Sequence, residues 1–69
     1  MTLDQTTIGS EVQIISVPDA IRSQLIRLGI AEGSRVVCLE KIPFGPVVLK
    51  SRRQEIAIGR DLARQIEVR

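Results

Sequence analysis

Two glycines four residues apart, Gly29 and Gly33 in "LIRLGIAEGSRV", constrain this chain more than any other feature. Upstream of them Ile21, Leu25 and Leu28 recur at helical spacing and predict a core-facing stripe. Downstream, "SRVVCLEKI" is rich in β-branched residues and reads as a strand. Gly29 stands where a left-handed residue ends a helix, a conformation glycine adopts without steric cost. Ile30 then falls at the position that packs back on Leu25. "AEGS" places Gly33 third in a four-residue turn, as type II requires. The pair therefore predicts a helix that stops and a strand that starts at a steep angle. A phosphate-cradling glycine loop is disfavoured, because Gly29 ends a helix and anion sites use helix N-termini.

The remaining elements follow from periodicity and breakers. "SEVQIISV" carries apolar residues in two phases, Val12 with Ile14 and Ile15 with Val17. Such a strand needs a bend or bulge where it changes the face it buries. Gly9 precedes it as a turn, and Leu3 and Ile8 are placed to fold back over one end of the core. Pro18 breaks the strand and suits a first helical turn, with Asp19 beside the free N–H groups. The helix is expected from about Pro18 to Leu28, with Arg22, Ser23 and Arg27 toward water and Ile26 off the core stripe. In the second strand Val36, Cys38 and Ile42 share one phase, Val37 and Leu39 the other. "PFGP" is a turn with Gly45 free to take positive φ. "VVLKS" and "QEIAIG" are strands, with Val47, Leu49, Ile56 and Ile58 inward and Val48 outward. Arg52 and Arg53 between them are poor residues for a two-residue hairpin, which favours Asn-Gly; a longer or looser connection is expected. "RDLARQ" gives one helical turn before "IEVR" closes the sheet. An antiparallel meander with one inserted helix points to a small closed barrel, mainly β, which removes edge strands.

A chain of 69 residues is one domain, residues 1–69. At that size only about 60% of the unfolded chain's surface is buried. No disulfide or zinc staple is available, since Cys38 is the one cysteine and there is no histidine. The core must be Ile, Leu and Val, with Phe44 the sole ring. No apolar run approaches the roughly 18 residues of a membrane span. "MTLDQTTIGSEV" lacks the basic and apolar regions of a signal peptide. With one free thiol, these features place the chain in a reducing cytoplasm. Net charge is only +2. The first nineteen residues nevertheless hold acids and no bases, whereas Lys50, Arg52, Arg53, Arg60, Arg64 and Arg69 make the C-terminal third basic.

Catalytic constellations are not legible. Cys38 sits mid-strand in phase with Val36, where a thiol behaves as a small hydrophobe. The glutamates fall at strand ends or in outward phases, and a small barrel fills its interior with side chains. No enzyme, no cofactor and no metal ligand is expected. Phe44, between Pro43 and the Gly45–Pro46 pair, either folds over an open barrel end or serves an interface.

"LIRLGIAEGSRV" followed by "IPFGPVVLKSRRQEIAIGRDLARQIEV" resembles the FeoA family, small cytosolic accessory proteins of bacterial ferrous-iron transport. The likeness runs from "TTIGSEVQI" to the final "IEV". It departs at the Arg52–Arg53 turn, where glycine is more usual, and at Gly59, where a longer polar residue is commoner. The resemblance implies an SH3-like β-barrel, one helix inserted after the first strand and a short helical turn before the last. It implies no enzyme activity and no cofactor. It also implies a partner, the cytosolic GTPase region of the membrane transporter FeoB. On that footing the expected docking face is Arg22, Ile26, Arg27, Phe44, Gly45 and Pro46. Ile26 and Phe44 would be apolar anchors and the arginines a charged rim; Gly29 and Gly33 are structural. Two alternatives stand beside it. One is a small-barrel nucleic-acid binder, which the basic C-terminal third favours and the single aromatic opposes. The other is a detached FeoA-like domain of the kind found in metal-responsive transcription regulators. Direct binding of ferrous iron through carboxylates lacks the two-histidine chemistry such sites favour.

Overall fold

The computed structural model describes residues 1–69. Its elements are β1 (Glu11–Ser16), α1 (Asp19–Arg27), β2 (Arg35–Lys41), β3 (Val47–Ser51), β4 (Gln54–Ile58), α2 (Arg60–Ala63) and β5 (Glu67–Val68), with a 3-10 turn at Leu3–Gln5. All strand pairs are antiparallel, in the order β4-β3-β2-β1-β5. The sheet curls round one aliphatic core as a small SH3-like barrel, with α1 inserted after β1 and α2 before β5. Leu3, Ile14, Leu25, Ile30, Val36, Cys38, Leu49 and Ile66 lie at its centre.

The corner at Gly29 is a Schellman cap. The Ile30 N–H donates to the Leu25 carbonyl at 2.8 Å and the Gly29 N–H to the Ile26 carbonyl at 2.9 Å, with Gly29 at φ 85°. Ile30 and Leu25 are both buried, so the cap is sealed by an apolar contact. The Ser34 N–H then donates to the Ala31 carbonyl at 2.9 Å, with Gly33 at φ 94°, closing the type II turn. Leu28, expected on the core face, is instead exposed. It is the residue at which the chain leaves the helix, and Ile30 fills its place in the core.

Two bulges let the strands curl. Ile14 faces Val68 and Ser16 faces Glu67, so Ile15 is an extra residue in β1. That slip explains the two apolar phases: Val12 and Ile14 are buried before it, Val17 after it. In β2 Cys38 faces Leu49 but Glu40 faces Val48, which makes Leu39 the extra residue. Cross-strand partners share a face, so beyond this bulge Lys41, opposite Val47, takes the inward phase. Ile42, expected inward, is therefore exposed. At the N-terminus only Leu3 enters the core; Ile8, expected to help cover it, is exposed.

The β3–β4 connection corrects another expectation. Ser51 pairs directly with Gln54, so Arg52 and Arg53 form a tight two-residue loop. The tightness is bought with backbone strain: Arg52 adopts φ 59°. The barrel wall is also not hydrogen-bonded all the way round, because β4 and β5 end the sheet unpaired with each other. The chain returns from β4 to β5 through α2. Leu62 packs on the core and Ala63 is fully buried.

Opposite effects are expected at two left-handed positions. Gly29→Ala puts a side chain where φ is 85° and costs about 1 kcal/mol. Arg52→Gly relieves the strain at φ 59° and stabilises by up to about 1 kcal/mol. Urea denaturation of the two variants checks both signs, and equal shifts in one direction would contradict the assignment.

Candidate docking surface

The Cys38 thiol is fully buried. No group of three or more His, Cys, Asp or Glu side chains is placed to hold a metal ion. The two surface clefts lie at opposite ends of the β3–β4 ladder. One is lined by Phe44, Gly45, Pro46, Gly59, Arg60 and residues of α2. The other is lined by Gly29, Ser51, Arg52, Arg53 and Gln54.

The Phe44 turn is the more built of the two. The Gly45 N–H donates to the Ile42 carbonyl at 2.8 Å, and Phe44 takes φ 59°. Pro43 and Phe44 are thus the central residues of a type II turn, with Phe44 at the position that normally wants glycine. Gly45, expected to supply the positive φ, has another role. A Cβ there would lie 2.8 Å from the Ile42 side chain, which would have to shift to admit it. The Arg60 guanidinium braces the turn, its Nε donating to the Gly45 carbonyl at 3.1 Å and one Nη to the Ile42 carbonyl at 2.9 Å. This rigid support holds up a Phe44 side chain that is fully exposed. The possibility that Phe44 folds over a barrel end is thereby overturned. A strained backbone contributes nothing to folding here, and neither does an unburied ring.

The helix half of the expected face is divided. Ile26 is 55% exposed and Leu28 lies exposed beside it in sequence. Arg27 is also exposed, its Nε donating to the Ser23 carbonyl at 3.4 Å. Arg22, by contrast, is tied down. It donates to Asp19 at 2.8 Å, to Glu32 at 3.0 Å and to the Val17 carbonyl at 3.1 Å. Glu32 in turn accepts the Val17 N–H at 3.2 Å. This network fastens the start of α1 to the Gly33 turn. The Arg22 hydrogen bond, then the Val17 N–H, hold the Glu32 carboxyl below its ordinary value; Asp19, then Glu32, raise the Arg22 guanidinium. At the other end of α1, Gly29 lines the same cleft as Arg52, Arg53 and Gln54. Of the two turns that flank β3, the one beside the helix end is accordingly Arg52–Arg53. Phe44, Gly45 and Pro46 belong to the opposite end of β3.

Arg60 is a residue that sequence reading passed over, because nothing in "GRDLAR" distinguishes it from a solvated helix charge. Its role depends on a carbonyl pair 15 and 18 residues away.

The Glu32 pair gives a signed pH dependence. A carboxyl depressed on folding stabilises above its unfolded value, and that contribution disappears as pH falls through the folded value. Melting temperature should therefore fall less steeply with acid, below the ordinary glutamate value of 4.5, in Glu32→Gln than in the parent. Parallel curves would show that the network carries no pH-dependent stability. Arg60→Ala should speed hydrogen exchange at the Gly45 amide about tenfold with little change in global melting; unchanged exchange would remove Arg60 as the brace.

A FeoA domain family matches residues 1–69. No curated protein matches the sequence. A crystal structure of an iron uptake regulatory protein, FeoA, is 26% identical with TM-score 0.89, covering 100% of this chain and 93% of that one. The solution structure of FeoA from Chlorobium tepidum is 27% identical with TM-score 0.87, over 99% of this chain and 68% of that one. ScaR, solved with bound Zn2+, is 25% identical with TM-score 0.88, but the match covers 99% of this chain and 35% of ScaR. With the family matched from the first residue to the last, on the fold that its solved structures share, this chain belongs to the FeoA family.

Proposed function

We propose that this protein is a non-catalytic accessory factor of bacterial ferrous-iron uptake that works in the cytosol by docking on the GTPase region of the FeoB transporter. One observation carries the reading: Phe44 is fully exposed on a strained turn braced by Pro43, Gly45 and Arg60. Burying a phenylalanine side chain is worth about 1.5–3 kcal/mol, and here that gain is left for a partner. A rigid loop presents the ring with little conformational entropy left to lose on association. Family membership supports iron uptake as the setting. The sealed Cys38 and the scattered carboxylates support binding in place of catalysis. Ile26, exposed near the end of α1, offers a second apolar contact and Arg27 a charged rim. No helix is long and apolar enough to cross a membrane.

The likeness to ScaR favours a second reading, a free-standing relative of a regulator's domain. That reading expects association with a DNA-binding protein and none with the transporter.

Binding of the full chain to the immobilised GTPase region of FeoB distinguishes them. Phe44→Ala, which keeps the same backbone strain, should weaken binding at least tenfold, the scale of an interface hot spot of about 2 kcal/mol. Ile26→Lys should also weaken it, and both variants should melt as the parent does. Full-strength binding by Phe44→Ala would refute the role given to the ring. No binding by the parent would refute the transporter as partner.

A further inference from the structure

The sheet has two edges, and the chain treats them differently. Residues 1–3 run beside β5. The Val68 N–H donates to the Met1 carbonyl at 2.8 Å, the Leu3 N–H donates to the Ile66 carbonyl at 2.9 Å, and Thr2 bridges Glu67. Nothing equivalent borders β4. A two-residue loop makes Ser51 and Gln54 the hydrogen-bonded pair that closes the hairpin, and antiparallel alternation then aims the N–H and C=O groups of Glu55 and Ala57 away from β3. Both residues are exposed, and no backbone hydrogen bond reaches either from outside the β3 ladder. Gln54–Ile58 contains no proline or lysine, and the one charge on this edge is the exposed Glu55.

This open edge joins the two clefts. At its Gln54 end Arg52 and Arg53 are exposed and form no ion pair. Ser51 lines the same cleft. It is only 6% exposed, and no buried side-chain polar atom of the chain lacks a partner, so an unpaired Ser51 hydroxyl opens to solvent in the cleft. At the other end Gly59 adjoins the cleft of Phe44 and Arg60. Four strand steps, about 14 Å, separate Gln54 from Ile58.

We propose that β4 is a strand-addition site for an extended acidic segment of a protein partner. The main-chain groups of Glu55 and Ala57 offer two donors and two acceptors to the added strand. A carboxylate of the segment lies over the Arg52–Arg53 turn, where Ser51, Arg52 and Arg53 line one cleft. An apolar side chain at the segment's other end meets Phe44. Charge selects this occupant over a second copy of the chain. A two-fold pairing of β4 with itself sets the Arg52–Arg53 turn of each copy against Gly59 and Arg60 of the other, bringing positive charge to positive charge. The inference rests on the docking reading above for the identity of the partner but not for the chemistry of the edge.

The test is amide exchange followed by NMR on the full 15N-labelled chain. One arm adds an acidic Glu-Val alternating hexapeptide, with a Lys-Val hexapeptide as control. The other adds the transporter's GTPase region. The acidic peptide should slow exchange at Glu55 and Ala57 about tenfold at saturation, and the basic peptide should not. Ala57→Pro removes an outward N–H without touching the β3 ladder and should abolish the effect. The double substitution Arg52→Glu, Arg53→Glu should transfer it to the basic peptide. Protection by neither peptide, or by both alike, overturns the proposal. Binding of the GTPase region without protection at Glu55 and Ala57 overturns the edge and leaves the docking reading intact. Protection by the acidic peptide without binding of the GTPase region does the reverse. Concentration-dependent protection in the chain alone would make a second copy the occupant and overturn the proposal.

Discussion

The contact between Leu25 and Ile30 across the Gly29 cap is the constraint on which the rest of the structure depends. It fixes where the helix ends, and it turns the chain so that β2 can pair with β1. The cap alone would leave the direction loose, because a Schellman motif sets only the first residues beyond the helix. The Arg22–Glu32 bridge supplies the second point of attachment, between the helix start and the turn that follows the cap. Exposed ion pairs of this kind add little to global stability. Their value here is geometric, since the bridge and the Val17 N–H hold opposite ends of the helical insertion in register.

The barrel carries its strain at two places, both in non-glycine residues with left-handed backbone. Phe44 and Arg52 cap the two ends of the β3–β4 ladder. Glycine would satisfy either turn with less strain. Instead one turn presents a ring and the other a guanidinium pair, so each gives up some folding free energy at a point where a side chain faces outward. Strain of this sort persists where the surrounding structure over-determines it. The Gly45 approach to Ile42 and the Arg60 hydrogen bonds do so at Phe44, and the direct Ser51–Gln54 pairing does so at Arg52.

Local chemistry made much of this fold legible in advance. Gly29, Gly33, Pro18 and the period-2 run of Ile56 and Ile58 each act through backbone geometry or alternation over a few residues. The bulge in β1 announced itself because Val12, Ile14 and Val17 cannot share one phase. The bulge in β2 was hidden, because Val36, Cys38 and Ile42 already fit one phase without it. Arg52 misled for a related reason: composition argues against a tight turn, and only the pairing of Ser51 with Gln54 overrides it. At the candidate surface Phe44 stood out as the single ring in a proline-bounded turn. Arg60 did not, because its partners are carbonyls, which every sequence offers everywhere. The separation of Ile26 from Phe44 was equally invisible, since it follows from which end of a ladder each element meets.

The segment that shields β5 has a consequence for the topology of the chain. Its first residue hydrogen-bonds the residue before last, and its amino group lies 3.6 Å from the Glu67 carboxylate. The two termini are therefore neighbours, and a short polar bridge from Arg69 back to Met1 would cross almost no distance. Such a ring would lose conformational freedom mainly when unfolded, gaining thermal resistance while leaving both clefts untouched. A circular permutant opened between Thr7 and Gly9, in an exposed stretch outside every strand and helix, would keep all five strands and both helices whole.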